Sequence, residues 1–333
     1  SEIKNLIEYF QKGYYDDAQN IAEKITKKFP NHQFTWKILG AIFAEKGRYE
    51  NALIANEKAV QIDPHDAEAN HNLGITFKSL ARLDDAKNSF TRAIKIKSDY
   101  AEAYINLGVL YQELGNLKDA ESVYKKAIKI NTNFAITHNN LANVLHDMER
   151  YDEAIICYKK AISLQSNFFQ AYNNLGTTYK CLGELKLAEK SYRKAIVLKP
   201  DFAEAFQNLA KTLQDFGKHD EAEANFRHAI SIKPEYANAH LHLGITLFKL
   251  HRLDESKKSY QKAITLRPDL FLAHNNLGIL QREIGLFDEA KDSYNKAIEL
   301  KSDFAEAHRN LSLLKKFSKR DKHFNQMLKL STN

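Results

Sequence analysis

The sequence predicts an all-α solenoid of tandem helix pairs, and three observations carry that reading. Leu39, Leu73, Leu107, Leu141, Leu175, Leu209, Leu243, Leu277 and Leu311 recur every 34 residues without an insertion. Each is followed by a small residue, running from Gly40, Gly74 and Gly108 to Gly278 and Ser312, and another small residue stands twelve places further on, from Ala52 to Ala290. The helix breakers keep the same register. Six of the 12 Gly share the position after the Leu, and the other six (Gly13, Gly47, Gly115, Gly183, Gly217, Gly285) stand seven places beyond it. All five Pro (Pro30, Pro64, Pro200, Pro234, Pro268) share one further position. Fixed-period self-similarity of this kind is the mark of a repeat architecture, and period-two alternation, the mark of strands, is absent.

Residues 1–32 read as a first unit whose start is clipped, residues 33–304 as eight complete units of 34, and residues 305–333 as a last first helix followed by a degenerate segment. Residues 101–134 show how one unit works. Ala103, Leu107, Gly108 and Tyr111 form one stripe of a helix. Gly115 ends that helix, because glycine tolerates the left-handed turn of a C-terminal cap. Asp119-Ala120 opens a second helix whose inner stripe is Tyr124, Ala127 and Ile128. Gly108 and Ala120 let the two helices approach closely, and Thr132 turns the chain where other units place Pro. A single pair cannot bury its apolar face, whereas stacked neighbours can.

Composition excludes several classes. At 44% apolar and 27% charged residues the chain is an ordinary globular one. Cys157 and Cys181 make neither a disulfide framework nor a CxxC zinc pair. No apolar run reaches the ~20 residues of a membrane span, and Ser1-Glu2-Ile3-Lys4 opens no signal peptide, so a cytoplasmic location is the expectation. Net charge +7 permits acidic partners without demanding them, and nucleic acid is disfavoured because the basic pairs lack exposed aromatics between them. No HExxH, GxxxxGK[ST] or GxGxxG occurs. The expectation is no catalytic residue, no metal and no cofactor. His138, His240, His274 and His308 replace an aromatic at one repeat position and read as packing residues.

The register resembles the tetratricopeptide repeat, carried in the unit above by Tyr104, Leu107, Gly108, Tyr111, Ala120, Tyr124 and Ala127. Asn56 and Gln281 depart from it, each standing where an aromatic is usual. The resemblance implies a right-handed superhelix whose first helices line a concave groove, and a role in binding peptides or proteins.

What lines that groove is read from the residues. An amide precedes most of the repeated Leu: Asn72, Asn106, Asn140, Asn174, Asn208, Asn276 and Asn310, with Ile38 and His242 as exceptions. One explanation is a helix-to-helix hydrogen bond within the solenoid wall. The other is a ladder facing the groove, since an amide offers an acceptor and two donors to a peptide bond. With first helices ~10 Å apart and extended peptide rising ~3.3 Å per residue, one Asn would meet every third residue. The row is similar to the asparagine ladder of the O-linked N-acetylglucosamine transferases. Alanine at Asn72, Asn106, Asn140, Asn174 and Asn208 together is expected to spare the fold and abolish capture of extended peptide. Lys78, Gln112, Asn143, His146, Lys180, Lys211, Gln214 and Arg282 stand three or six places beyond the row and read either as a solvated helix face or as groove positions favouring acidic or phosphate-bearing segments. Lys125-Lys126, Lys159-Lys160 and Arg193-Lys194 read as solvated second-helix surface.

The end of the chain departs from the register. His308 to Phe317 and Asp321 to Leu330 resemble the junction at which bacterial repeat arrays lead into a sulfotransferase domain. With a start inside a repeat, this predicts a piece of a longer protein. The expected function is a non-catalytic scaffold that holds extended polypeptide, with the substrate-recruiting arm of a sulfotransferase or glycosyltransferase as the alternative.

Overall fold

The computed structural model describes residues 2–314. Among the described residues there are nineteen helices and no strand. They fall into two compact units, Ser1–Ser166 and Asn167–Asn333. The first holds α1 (Glu2–Gln11), α2 (Tyr15–Lys28), α3 (Gln33–Glu45), α4 (Tyr49–Ile62), α5 (Ala67–Ser79), α6 (Leu83–Ile96), α7 (Ala101–Glu113), α8 (Leu117–Ile130), α9 (Ala135–Asp147) and α10 (Tyr151–Leu164). The second holds α11 (Phe169–Cys181), α12 (Leu185–Leu198), α13 (Ala203–Asp215), α14 (His219–Ile232), α15 (Ala237–Lys249), α16 (Leu253–Leu266), α17 (Phe271–Glu283), α18 (Phe287–Leu300) and α19 (Ala305–Ser312).

Within each unit the odd-numbered first helix packs on its own second helix, on the second helix before it and on the next first helix, as α5 does on α6, α4 and α7. This is the stacked helix-pair solenoid that the register predicts. The small residues make it possible. A Cβ on Gly108 would lie 2.5 Å from the Tyr124 ring, and one on Gly176 would lie 2.7 Å from Tyr192. The second-helix aromatic therefore lies on the bare backbone of the first helix. Ala86, Ala120, Ala188 and Ala222 are fully buried between the two helices. At the departure Asn56, the buried amide donates to Thr76 Oγ1 at 2.9 Å while its Oδ1 has no partner.

The first helices from α1 to α17 each end on a left-handed residue. Gly115 has φ +72°, and the same position holds Ala81, Glu149 and His251 at φ 57°, 60° and 58°. The turn between repeats is tied by a side chain. His138 Nε2 lies 3.0 Å from the Thr132 carbonyl, His240 and His274 lie at the same distance from those of Pro234 and Pro268, and His308 lies 2.9 Å from that of Ser302. Trp36 and Asn70 donate to the Pro30 and Pro64 carbonyls in the same way. These His pack as expected and also bond to an otherwise open carbonyl. No described helix is long and apolar enough to cross a membrane. The junction-like segment after Leu314 lies outside the described residues.

Candidate peptide-binding face

The Asn row lies on the first helices, one residue before the buried Leu. That placement sets each Asn at the edge of the core rather than in it. Asn72, Asn106 and Asn140 in the first unit, and Asn174, Asn208 and Asn276 in the second, are half-buried. Asn310 is a correction. It is 6% exposed, so its amide belongs to the wall and offers little to a ligand.

The wall explanation accounts for part of the row. Asn106 Nδ2 lies 2.7 Å from His71 Nε2, Asn208 Nδ2 donates to Asn173 Oδ1 at 3.1 Å, and Asn310 Nδ2 donates to Asn275 Oδ1 at 3.0 Å. All three partners stand 35 residues back, one place before the preceding row member, and all are buried. Alanine at Asn208 would leave the Asn173 oxygen buried without a donor, which costs about 1–3 kcal/mol. The expectation that five alanines spare the fold is corrected on this ground. In Asn140 and Asn174 the Oδ1 accepts instead from the neighbouring Asn139 and Asn173, at 3.4 and 3.3 Å. The buried residues behind the row are what sequence reading missed. His71, Asn139, Asn173, Gln207 and Asn275 are themselves a periodic polar set, interrupted by Ile105 and Leu241.

Several of the further positions are paired with neighbouring residues. Lys78 bridges Glu113 and Lys180 bridges Asp215, both at 2.8 Å and both across one repeat. Gln112 Oε1 accepts from the Tyr124 hydroxyl at 2.7 Å, which turns its amide nitrogen away from the core. Gln214 Nε2 ties α13 to α15, donating to the His242 carbonyl at 3.2 Å and Thr246 Oγ1 at 2.8 Å. Arg282 is half-buried in the last turn of α17. Burial pushes the Lys211 ammonium below its usual range, and Lys180 adds to the effect. Burial, with Lys211 and Lys180 behind it, pushes His242 down to about 4, so the imidazole is neutral at ordinary pH. It stacks on Phe226, with ring centroids 5.9 Å apart. In the first unit, Lys78, Asn106 and Glu113 line a hollow of about 350 Å³ together with Ile75, Ser79 and Phe90.

Among the described residues no group of three or more His, Cys, Asp or Glu could hold a metal ion. Cys157 is half-buried and burial raises its thiol, the reverse of what a reactive thiolate needs. What the face can do chemically, in each unit, is donate and accept neutral hydrogen bonds along successive first helices.

Comparison with known proteins agrees with the architecture. No curated protein matches the chain in sequence. Among solved structures, the Cut9–Hcn1 hetero-tetramer of the APC/C superposes with TM-score 0.62 at 14% identity, over 90% of this chain and 60% of that one. A structure from the functional characterisation of Pseudomonas aeruginosa pilF superposes with TM-score 0.58 at 20% identity, over 64% of this chain and 97% of that one. At such identities the likeness is one of fold. YrrB, a TPR protein with an unusual peptide-binding site, is 28% identical over 56% of this chain and 96% of that one, with TM-score 0.46. Tetratricopeptide repeat models match residues 101–134, 133–201, 203–236 and 235–303, and a TPR repeat model matches residues 40–80 and 76–115. With these matches running almost unbroken from residue 40 to residue 303, the chain belongs to the tetratricopeptide repeat family.

Proposed function

We propose that the chain is a binding scaffold whose first helices hold extended polypeptide, in the first unit through Asn72, Asn106 and Asn140 and in the second through Asn174, Asn208 and Asn276. The observation that carries this is the half-exposure of one amide at one helical position in successive first helices. A wall bond occupies the nitrogen of Asn106 and of Asn208 and leaves each Oδ1 unspent. A neutral amide reads the peptide bond, which every sequence shares, so tolerance of sequence is broad. Lys78, Gln112, Lys180, Lys211, Gln214 and Arg282 add a polar margin, in which Lys211 and Arg282 favour acidic segments while Lys78 and Lys180 are paired with Glu113 and Asp215. Each amide–peptide bond contributes about 0.5–1.5 kcal/mol net. Ordering the peptide offsets much of the sum, so affinity is about micromolar or weaker.

The test uses Asn276→Ala, whose side chain makes no wall bond, beside Asn208→Ala, whose side chain does. Binding of a labelled twelve-residue uncharged peptide should weaken two- to tenfold in each. Unchanged binding in both would end the reading. The transferase-arm reading rests on His308 to Phe317 and Asp321 to Leu330, of which all beyond Leu314 lies outside the described residues.

A further inference from the structure

Behind Asn208 stands a chain of hydrogen bonds with a fixed direction. Glu204, in the first turn of α13, is a carboxylate and can only accept. Asn173, on α11 and 1% exposed, donates Nδ2 to Glu204 Oε1 at 3.2 Å. With its nitrogen committed to Glu204 and to Asn174 Oδ1 at 3.3 Å, its Oδ1 requires a donor. Asn208, one turn beyond Glu204, supplies that donor through Nδ2 at 3.1 Å. The Oδ1 of Asn208, to which nothing among the described residues donates, is then left over beside the second N–H of the amide. The same triple recurs three repeats later. Asn275 donates to Glu306 Oε1 at 3.4 Å and accepts from Asn310 at 3.0 Å. Leu241, behind Asn276, has no polar group with which to hold that amide either way round.

We propose that Glu204, acting through Asn173, locks the Asn208 amide with its oxygen outward, so that this oxygen accepts from a peptide N–H and does not exchange places with the nitrogen. This rests on the peptide-binding reading and sharpens it. The rung selects extended segments that offer a backbone N–H at its register, and it refuses proline there, which has none. Glu204 and Asn173 are positioning residues, since neither touches the peptide.

The probe is a twelve-residue peptide of alternating Ser and Ala, beside its counterpart in which every internal N–H is replaced by an ester oxygen. The ester keeps an extended shape and carbonyl acceptors but offers no donor. Side-chain ¹⁵N resonances of Asn208 and Asn276 report binding rung by rung. In the parent protein, the ester compound should act on Asn208 two- to tenfold more weakly than the peptide, while at Asn276, free to turn over, the gap should be smaller. In Glu204→Gln, whose side chain can donate as well as accept, the gap at Asn208 should close towards that at Asn276. Equal response of Asn208 to both compounds in the parent would overturn the locked orientation. A gap that persists unchanged in Glu204→Gln would overturn the role of Glu204. If the peptide perturbs neither resonance, the peptide-binding reading fails and this inference falls with it.

Discussion

At the scale of single residues, the row divides by what lies behind each amide. Asn208 completes the hydrogen bonding of buried Asn173, while Asn276 backs onto Leu241. Urea unfolding should therefore separate two substitutions that look identical in sequence. Asn208→Ala should lose about 1–3 kcal/mol and Asn276→Ala less than about 0.5 kcal/mol. Equal losses would mean that the Asn173 oxygen finds another donor. His242 is the residue with the clearest pH signature. Its folded value of about 4 lies below the ordinary 6.5, so between these limits the unfolded chain binds a proton that the folded chain does not. Stability should then fall as pH drops from about 6.5 to about 4, by up to about 3 kcal/mol from this group, and its share is constant above and below that window. His242→Asn should flatten this slope, measured as the difference in urea midpoint between pH 7 and pH 4.5. The row itself was legible in the sequence because the same residue type recurs at one position. The pairing behind it was not. The partners stand 35 residues apart and vary between His and Asn, so only the offset of adjacent helices reveals that they meet.

At the scale of the helix pair, the two glycine positions play unlike parts, and substitution separates them. Gly108→Ala puts a methyl 2.5 Å from the Tyr124 ring and should cost about 1–3 kcal/mol through displaced packing. Gly115→Ala meets no atom, and its cost of about 1 kcal/mol is the left-handed backbone alone. The converse substitution tests the same idea. Ala81, Glu149 and His251 hold the left-handed position without a glycine, so Glu149→Gly should raise the melting temperature, by relief of about 1 kcal/mol. A drop would show that the strain is offset by contacts of the Glu149 side chain. Helix ends were legible because Gly and Pro mark them in most units. At Ala81, Glu149 and His251 no such marker exists, yet the turn forms, because packing of the flanking helices fixes a conformation that the local residue disfavours. The bond from His, Trp or Asn to the turn carbonyl was likewise hidden, since the position reads as a packing site whichever residue fills it.

At the scale of the whole chain, the repeat gives a sequence of similar sites, and a net charge of +7 over 333 residues. Many of the charges are spent on one another. Arg150 bridges Glu121 and Glu153, and Arg252 bridges Glu223 and Glu255, at 2.6–2.8 Å. Lys78 and Lys180 are likewise paired across repeats. Capture through neutral amides should then depend little on salt. Affinity for an uncharged twelve-residue peptide should change less than about twofold between about 50 and 500 mM NaCl, whereas a steep fall would point to binding through the lysines. The most direct measurement is the crystal structure of the protein with such a peptide bound. The account predicts an extended chain whose backbone lies within hydrogen-bond distance of successive Asn side chains, at about every third residue. A peptide seated on the second helices, or held by its side chains while the Asn amides bond only to the helix wall, would contradict it.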